Sequence, residues 1–152
     1  MIHDEVAERW LEELSGEECL GFLRANGVGR IAIVHEGQPL VFPVNYRLVE
    51  VADNPELLIR TRPGNLIDLA DDPVAFEIDG IDPSHQRGWS VLVQGSLHHL
   101  AEDQTSREAH FDSDSWIVEG RGALLAIQPT CITGRRLVAA TLQWAFHQSA
   151  YL

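Results

Sequence analysis

From residue 28 onward the sequence repeatedly takes on the two-residue period of a strand. "VGRIAIV" (28–34), "LVFPVNYRLV" (40–49), "LLIRT" (57–61), "VAFEI" (74–78), "WSVLVQGSLHHL" (89–100) and "GALLAIQPTCI" (122–132) are rich in β-branched and aromatic residues. Successive residues in such runs face opposite sides. Turn signals separate the runs: "HEGQP", "ADNPE", "PGN" and "DGIDPSHQRG". Strands this short and regularly spaced predict a mainly β, antiparallel barrel or sandwich rather than βαβ units. With 152 residues and no internal repeat or low-complexity linker, one domain spanning 1–152 is expected.

Helical signals lie mostly ahead of this set. Residues 4–14 place Val6, Trp10, Leu11 and Leu14 close to a 3.6-residue stripe. Ser15 and Glu18 match a capping box for a second helix, with Leu20, Phe22 and Leu23 as its apolar face and Gly27 as its end. Shorter helices are expected at about 65–71 and 103–110. The apolar tail 137–152 needs cover, on the barrel or on a second subunit.

Charge narrows the function. The formal net charge is −12 and the pI about 4.8, so polyanions such as nucleic acid or an anionic membrane are poor partners. No apolar run reaches the roughly 20 residues of a membrane span, and "MIHDEVAERWLEEL" does not read as a targeting peptide. A soluble cytoplasmic protein is therefore expected. All 11 basic residues are arginine. The absence of lysine excludes a pyridoxal-phosphate Schiff base and a Walker A lysine, and leaves arginine for planar recognition of phosphate or carboxylate.

Several motifs fall away on context. "GVGRIA" (27–32) has the letters of a dinucleotide fingerprint, but a strand follows its glycines where a helix should begin. His98 and His99 are adjacent on a strand and point to opposite faces, so no metal site is expected. Cys19 and Cys131 form no CxxC pair and suggest neither a disulfide framework nor zinc. No G-x-S-x-G elbow is present.

"RTRPGNLIDLADD" (60–72) holds the most chemistry. In an extended strand Arg60 and Arg62 share one face and Thr61 takes the other. Pro63 forces extension on Arg62, and Gly64 permits a tight turn. Asn65 suits a helix N-cap, with Asp68 at the box position. An arginine, a hydroxyl and free N–H groups would cradle a phosphate. If Asn65 and Asp68 cap those N–H groups themselves, the corner is an ordinary capped turn. From these residues the two readings stand level.

The ordered set "GEECLGFLRANGVGRIAIVHEGQPLVFPVNYRL", "IRTRPGN", "VAFEIDGID", "GWSVLVQGSL" and "ITGRR" resembles the pyridoxamine 5′-phosphate oxidase-like family of FMN-binding split barrels, in its small actinobacterial-type branch. The resemblance covers about residues 12–136. It implies a six-stranded antiparallel split barrel and a homodimer with FMN in a groove at the subunit interface. Val44, Asn45 and Tyr46 would run along the flavin, largely through backbone. Arg60 and Thr61 would approach the ribityl-phosphate end, and Gly64, Asn65 and Leu66 would receive the phosphate. Glu77, Trp89, Ser90 and Val91 would add cofactor-side contacts, and Trp116 would reach the substrate side. Asn65 stands where relatives usually carry a phosphate-binding lysine, so Arg62 is the nearby cation that would compensate. The implied function is a flavin-dependent oxidoreductase acting on a small molecule, with no protein acid or base to name. The C-terminal substrate-binding segment of true pyridoxamine phosphate oxidases is not recognisable in 137–152. The alternatives are a non-catalytic protein that binds flavin, deazaflavin (F420) or haem, or a barrel that binds no cofactor. A haem would ask for an axial ligand such as His98, His99 or His110.

Overall fold

The computed structural model describes residues 11–62, 64–100 and 123–137. In chain order these form β1 (Leu11–Glu13), α1 (Gly16–Ala25), β2 (Val28–His35), β3 (Gln38–Val51), β4 (Asn54–Thr61), β5 (Asp71–Asp82), a 3₁₀ turn (Pro83–His85), β6 (Arg87–His99) and β7 (Ala123–Leu137). All six strand runs read from the sequence are present, most of them longer than their apolar centres. No helix among the described residues is long and apolar enough to cross a membrane. The helix expected at 103–110, Trp116, His110 and the tail beyond Leu137 lie outside the described residues.

The strands close on themselves. The order β7–β4–β3–β2–β5–β6 returns to β7, and every pairing is antiparallel. Closure leaves no long unpaired edge. The barrel is split because β7 runs past β4: their pairing ends at Leu57–Ile127, while β6 stays paired to Leu137. The freed side of β7 takes β1, with Glu12 opposite Arg136 and Glu13 opposite Arg135.

This is where the sequence reading needs correction. Residues 11–13 were expected at the end of a helix and are a strand instead. Opposed carboxylates and guanidiniums across a ladder outweigh a weak helical stripe, and the Leu14 N–H continues the pairing to the Gly134 carbonyl at 2.9 Å. Residues 4–10 of that expected helix lie outside the described residues.

One glycine lets β6 and β7 stay together. Their register slips between Gln94 and Gly95, leaving Thr130 as the extra residue, whose hydroxyl donates to the Gln94 carbonyl at 3.1 Å. A Cβ on Gly95 would stand 2.2 Å from the Gln128 carbonyl oxygen. Since the obstacle is backbone, no rotamer change relieves it.

Helix α1 covers one end of the barrel. The Ser15 hydroxyl accepts from the Glu18 N–H at 3.2 Å, and the Glu18 carboxylate accepts from the Ser15 N–H at 2.8 Å, so the expected capping box forms. The helix stops at Ala25, where Asn26 is already extended and its amide donates to the Phe22 carbonyl at 2.8 Å. Asn26 therefore ends the helix one residue before the expected Gly27. Cys19 and Leu23 are buried against Ile31, Ile33, Leu57, Ile59, Phe76 and Ile127.

Tyr46 joins helix to barrel. Its ring packs edge-on to Phe76, with centroids 4.8 Å apart, and its hydroxyl donates to the Leu23 carbonyl at 2.8 Å. Burial pushes the phenol well above its ordinary pKa, so it acts only as a donor. Tyr46→Phe leaves that carbonyl buried without its donor. It is expected to cost about 1–2 kcal/mol, read as a lower urea midpoint with an unchanged m-value.

Candidate functional site

Strand alternation divides the expected cofactor contacts into two sets. Val44, Tyr46, Thr61 and Val91 face the barrel interior and are buried. Trp89 also lies on that side, stacked on Phe22 with ring centroids 4.1 Å apart. Its ring sits over Gly80, where a Cβ would be 2.5 Å from the indole nitrogen. These side chains hold the barrel together, and what they could offer a ligand is backbone. Asn45, Arg60, Glu77 and Ser90 face outward.

The outward set is spread over four strands, with Asn45 on β3, Arg60 on β4, Glu77 on β5 and Ser90 on β6. The paired residues Val28–Asn45 and Asp79–Ser90 lie across the outer face. The β3–β4 pairing ends at Tyr46–Ile59, so Asn45 and Arg60 are each one residue beyond its last pair. Arg60 is in turn opposite Leu124. The sequence segments "PVNY" and "RT" therefore meet at one end of the β3–β4 pair.

Asn45 is the polar residue there whose bonding is incomplete. Its amide nitrogen is buried and has no hydrogen-bond partner among the described residues. A buried donor without an acceptor costs free energy. A ligand rich in acceptors, such as the carbonyl and phosphate oxygens of a flavin nucleotide, would supply one. The donor set at this end therefore fits such a group.

Glu77 has a different setting. Arg30 reaches both Glu77 (3.4 Å) and Asp79 (3.3 Å). Burial, and then the Asp79 charge, raise the Glu77 pKa, while Arg30 opposes them. These residues line a shallow groove of about 280 Å³ with Ala32, Val41, Ala75 and Leu92. Arg30 and Asp79 were not anticipated, because Arg30 lies 47 residues from Glu77 and only β2–β5 pairing joins them.

The corner after β4 is a capped turn. No helix forms at 65–71: residues 64–69 are turns, and the chain enters β5 at Asp71. A helix this short does not recover its nucleation cost, while the Asp72 carboxylate accepts from the Leu97 N–H at 2.8 Å and ties the chain to β6. Gly64 takes the positive φ of 76° that its turn requires. Asn65 Oδ1 accepts from the Asp68 N–H at 2.9 Å, and Asp68 Oδ2 accepts from the Gly64 N–H at 2.6 Å. The Asn65 amide donates to the Thr61 hydroxyl. Leu66 and Arg62 are exposed beside this turn.

A residue that the sequence did not connect to the corner completes it. His99 Nε2 lies 2.6 Å from Asp68 Oδ1, and a separation of 31 residues leaves no local signal of the contact. His98, on the opposite face as alternation requires, is 3.2 Å from the Gln128 side chain. Among the described residues no three His, Cys, Asp or Glu side chains converge as a metal site.

The profile of the pyridoxamine 5′-phosphate oxidase family matches residues 15–136 of the chain. The protein belongs to this family. Its sequence is 27% identical over 138 residues to the uncharacterized protein Rv0080 of Mycobacterium tuberculosis, covering 86% of this chain and 88% of that one. The structure resembles the FAD binding protein from Mycobacterium smegmatis, with a TM-score of 0.64 and 28% identity over 84% of this chain and 99% of the other. It also resembles a FAD-binding protein from Mesorhizobium loti, with a TM-score of 0.68 and 26% identity over 84% and 99%. The fold expected from the sequence, a split barrel of this oxidase-like kind, is the fold found.

The Gly64 N–H first, and then His99, hold the Asp68 carboxyl below its ordinary pKa of 3.8. Because the folded-state value is depressed, the associated stability is complete above the ordinary value and is lost as pH falls through the lowered one. Asp68→Asn is therefore expected to be about 1 kcal/mol less stable than the parent at pH 7. The gap should close in acid below pH 3.8, as followed by thermal unfolding across a pH series.

Proposed function

We propose that the protein is a flavin-dependent oxidoreductase acting on a small molecule, with the FMN portion of its flavin seated at the outer β3–β4 end. The buried amide of Asn45, without a partner among the described residues and one residue beyond the end of the β3–β4 pairing, carries this reading, and the family supports it. So do the two FAD-binding relatives of the same fold. The flavin supplies hydride or electron transfer when bound. The chain's own part is to bind and orient: Asn45 donates to a ring or phosphate oxygen, Arg60 attracts the anionic end, and the buried row behind them keeps water from the barrel side.

The same reading takes the active form to be a homodimer. Val28, Val34, Val41, Ile81 and Leu92 all lie on the outer face and are exposed, Val41 to 64% and Ile81 to 72%. Apolar side chains gathered in this way on one face are suited to a second copy of the chain. Arg30, at the middle of that face, balances the two carboxylates of Glu77 and Asp79 in part.

The test is the visible spectrum after incubation with FMN or FAD and passage through a desalting column. Retained flavin bands are expected from the parent. Asn45→Ala and Arg60→Ala should each weaken binding by one to two decades, about the value of a hydrogen bond involving a charged group. A parent that stays colourless with both flavins would overturn the reading. Light scattering at micromolar concentration should give a dimer mass, and Val41→Glu should reduce it toward that of a monomer.

A further inference from the structure

The corner that should meet the phosphate already contains an anion. Asp68 is nearly buried, with its side chain 15% exposed. One carboxylate oxygen is 2.6 Å from the Gly64 N–H, and the other is 2.6 Å from His99 Nε2. The Asp68 N–H is taken by Asn65 Oδ1, and the Asn65 amide by the Thr61 hydroxyl. Each of these groups is thus already committed within the chain. The resemblance implies a phosphate-binding lysine at position 65, where this chain has a neutral asparagine. Residues 64–69 thus bring no cationic side chain and one fixed carboxylate.

A fixed negative charge affects the members of one ligand series unequally. Riboflavin ends in a hydroxyl and is indifferent to it. The terminal phosphate of FMN carries about −1.5 to −2 charges near pH 7 and is repelled most. In FAD the phosphate at the same place is one half of a pyrophosphate and carries a single charge, and the second phosphate lies farther along the chain. Repulsion between like charges at short range is among the strongest means of discrimination available to a binding site.

We infer that Asp68, clamped between Gly64 and His99, is a specificity-determining residue that disfavours flavins ending in a phosphate monoester relative to FAD and riboflavin. The inference rests on the flavin reading given above. Asp68 acts through charge at a place where other donors are already satisfied, with the exposed Arg62 as a nearby cation for a singly charged phosphate. His99 keeps the carboxylate from swinging out to solvent.

The experiment measures dissociation constants for riboflavin, FMN and FAD by quenching of flavin fluorescence, in the parent and in Asp68→Asn and Asp68→Ala. The alanine variant removes the charge without adding an amide donor, so an effect common to both belongs to loss of the carboxylate rather than to a new amide donor. Thermal unfolding verifies that each variant is folded, and either variant alone suffices. The expected result is a gain of about tenfold for FMN, threefold or less for FAD, and none for riboflavin. An unchanged FMN affinity, or an equal change for all three ligands, would overturn the inference and leave flavin binding standing. Failure of every protein, the parent included, to bind any of the three would overturn the flavin reading and this inference with it.

Discussion

The rest of the structure depends on the ladder of β7. This 15-residue strand hydrogen-bonds β6 along nearly its whole length, β4 over its first part and β1 at its end. Without it the other strands would form an open sheet with two bare edges. Its path requires one residue more than that of β6, and the extra Thr130 is accommodated only because Gly95 brings no Cβ against the Gln128 carbonyl. A backbone contact of that kind leaves no room for repacking, so closure of the barrel hangs on a single side-chain-free position.

Closure then imposes parity. Once β3 and β4 are part of a barrel, Val44, Tyr46 and Thr61 must fill it, and Asn45 and Arg60 must face away. The inner set is satisfied locally: Tyr46 bonds the helix, Thr61 bonds Asn65, and Val91 is wholly buried. The outer set is satisfied only in part, with an unpartnered amide at Asn45 and a stretched three-way contact at Arg30. Among the described residues the outer face is thus less completely paired than the inner one.

Much of this was legible from the residues. Alternation gave all six strands, the Ser15–Glu18 spacing gave the start of α1, and the opposite orientations of Arg60 and Thr61 followed from the period alone. The errors arose where local pattern met long-range pairing. Leu11–Glu13 carries part of a helical stripe but pairs with Arg135–Leu137, more than 120 residues away. The segment after Gly64 has a capping signature yet stays a set of turns, because Asp72 is drawn to β6 through Leu97. Asn45, Arg60, Glu77 and Ser90 are candidates that the sequence alone suggests, whereas Arg30, Asp79 and His99 enter only through the structure. Each of those three acquires its role from a neighbour at least 31 residues distant.

What the sequence determined by itself is the set of strands, their two faces and the membership of the family, because period, turn residues and motif order are local quantities. The sequence left one question open, whether the Arg-Thr-Arg-Pro-Gly-Asn corner is a phosphate cradle or a capped turn. Tertiary structure supplies the caps of this turn, since it alone brings His99 from β6 to Asp68 and commits that carboxylate to the Gly64 N–H. Contacts between β6 and the turn depend on barrel closure, and no spacing along the chain encodes them.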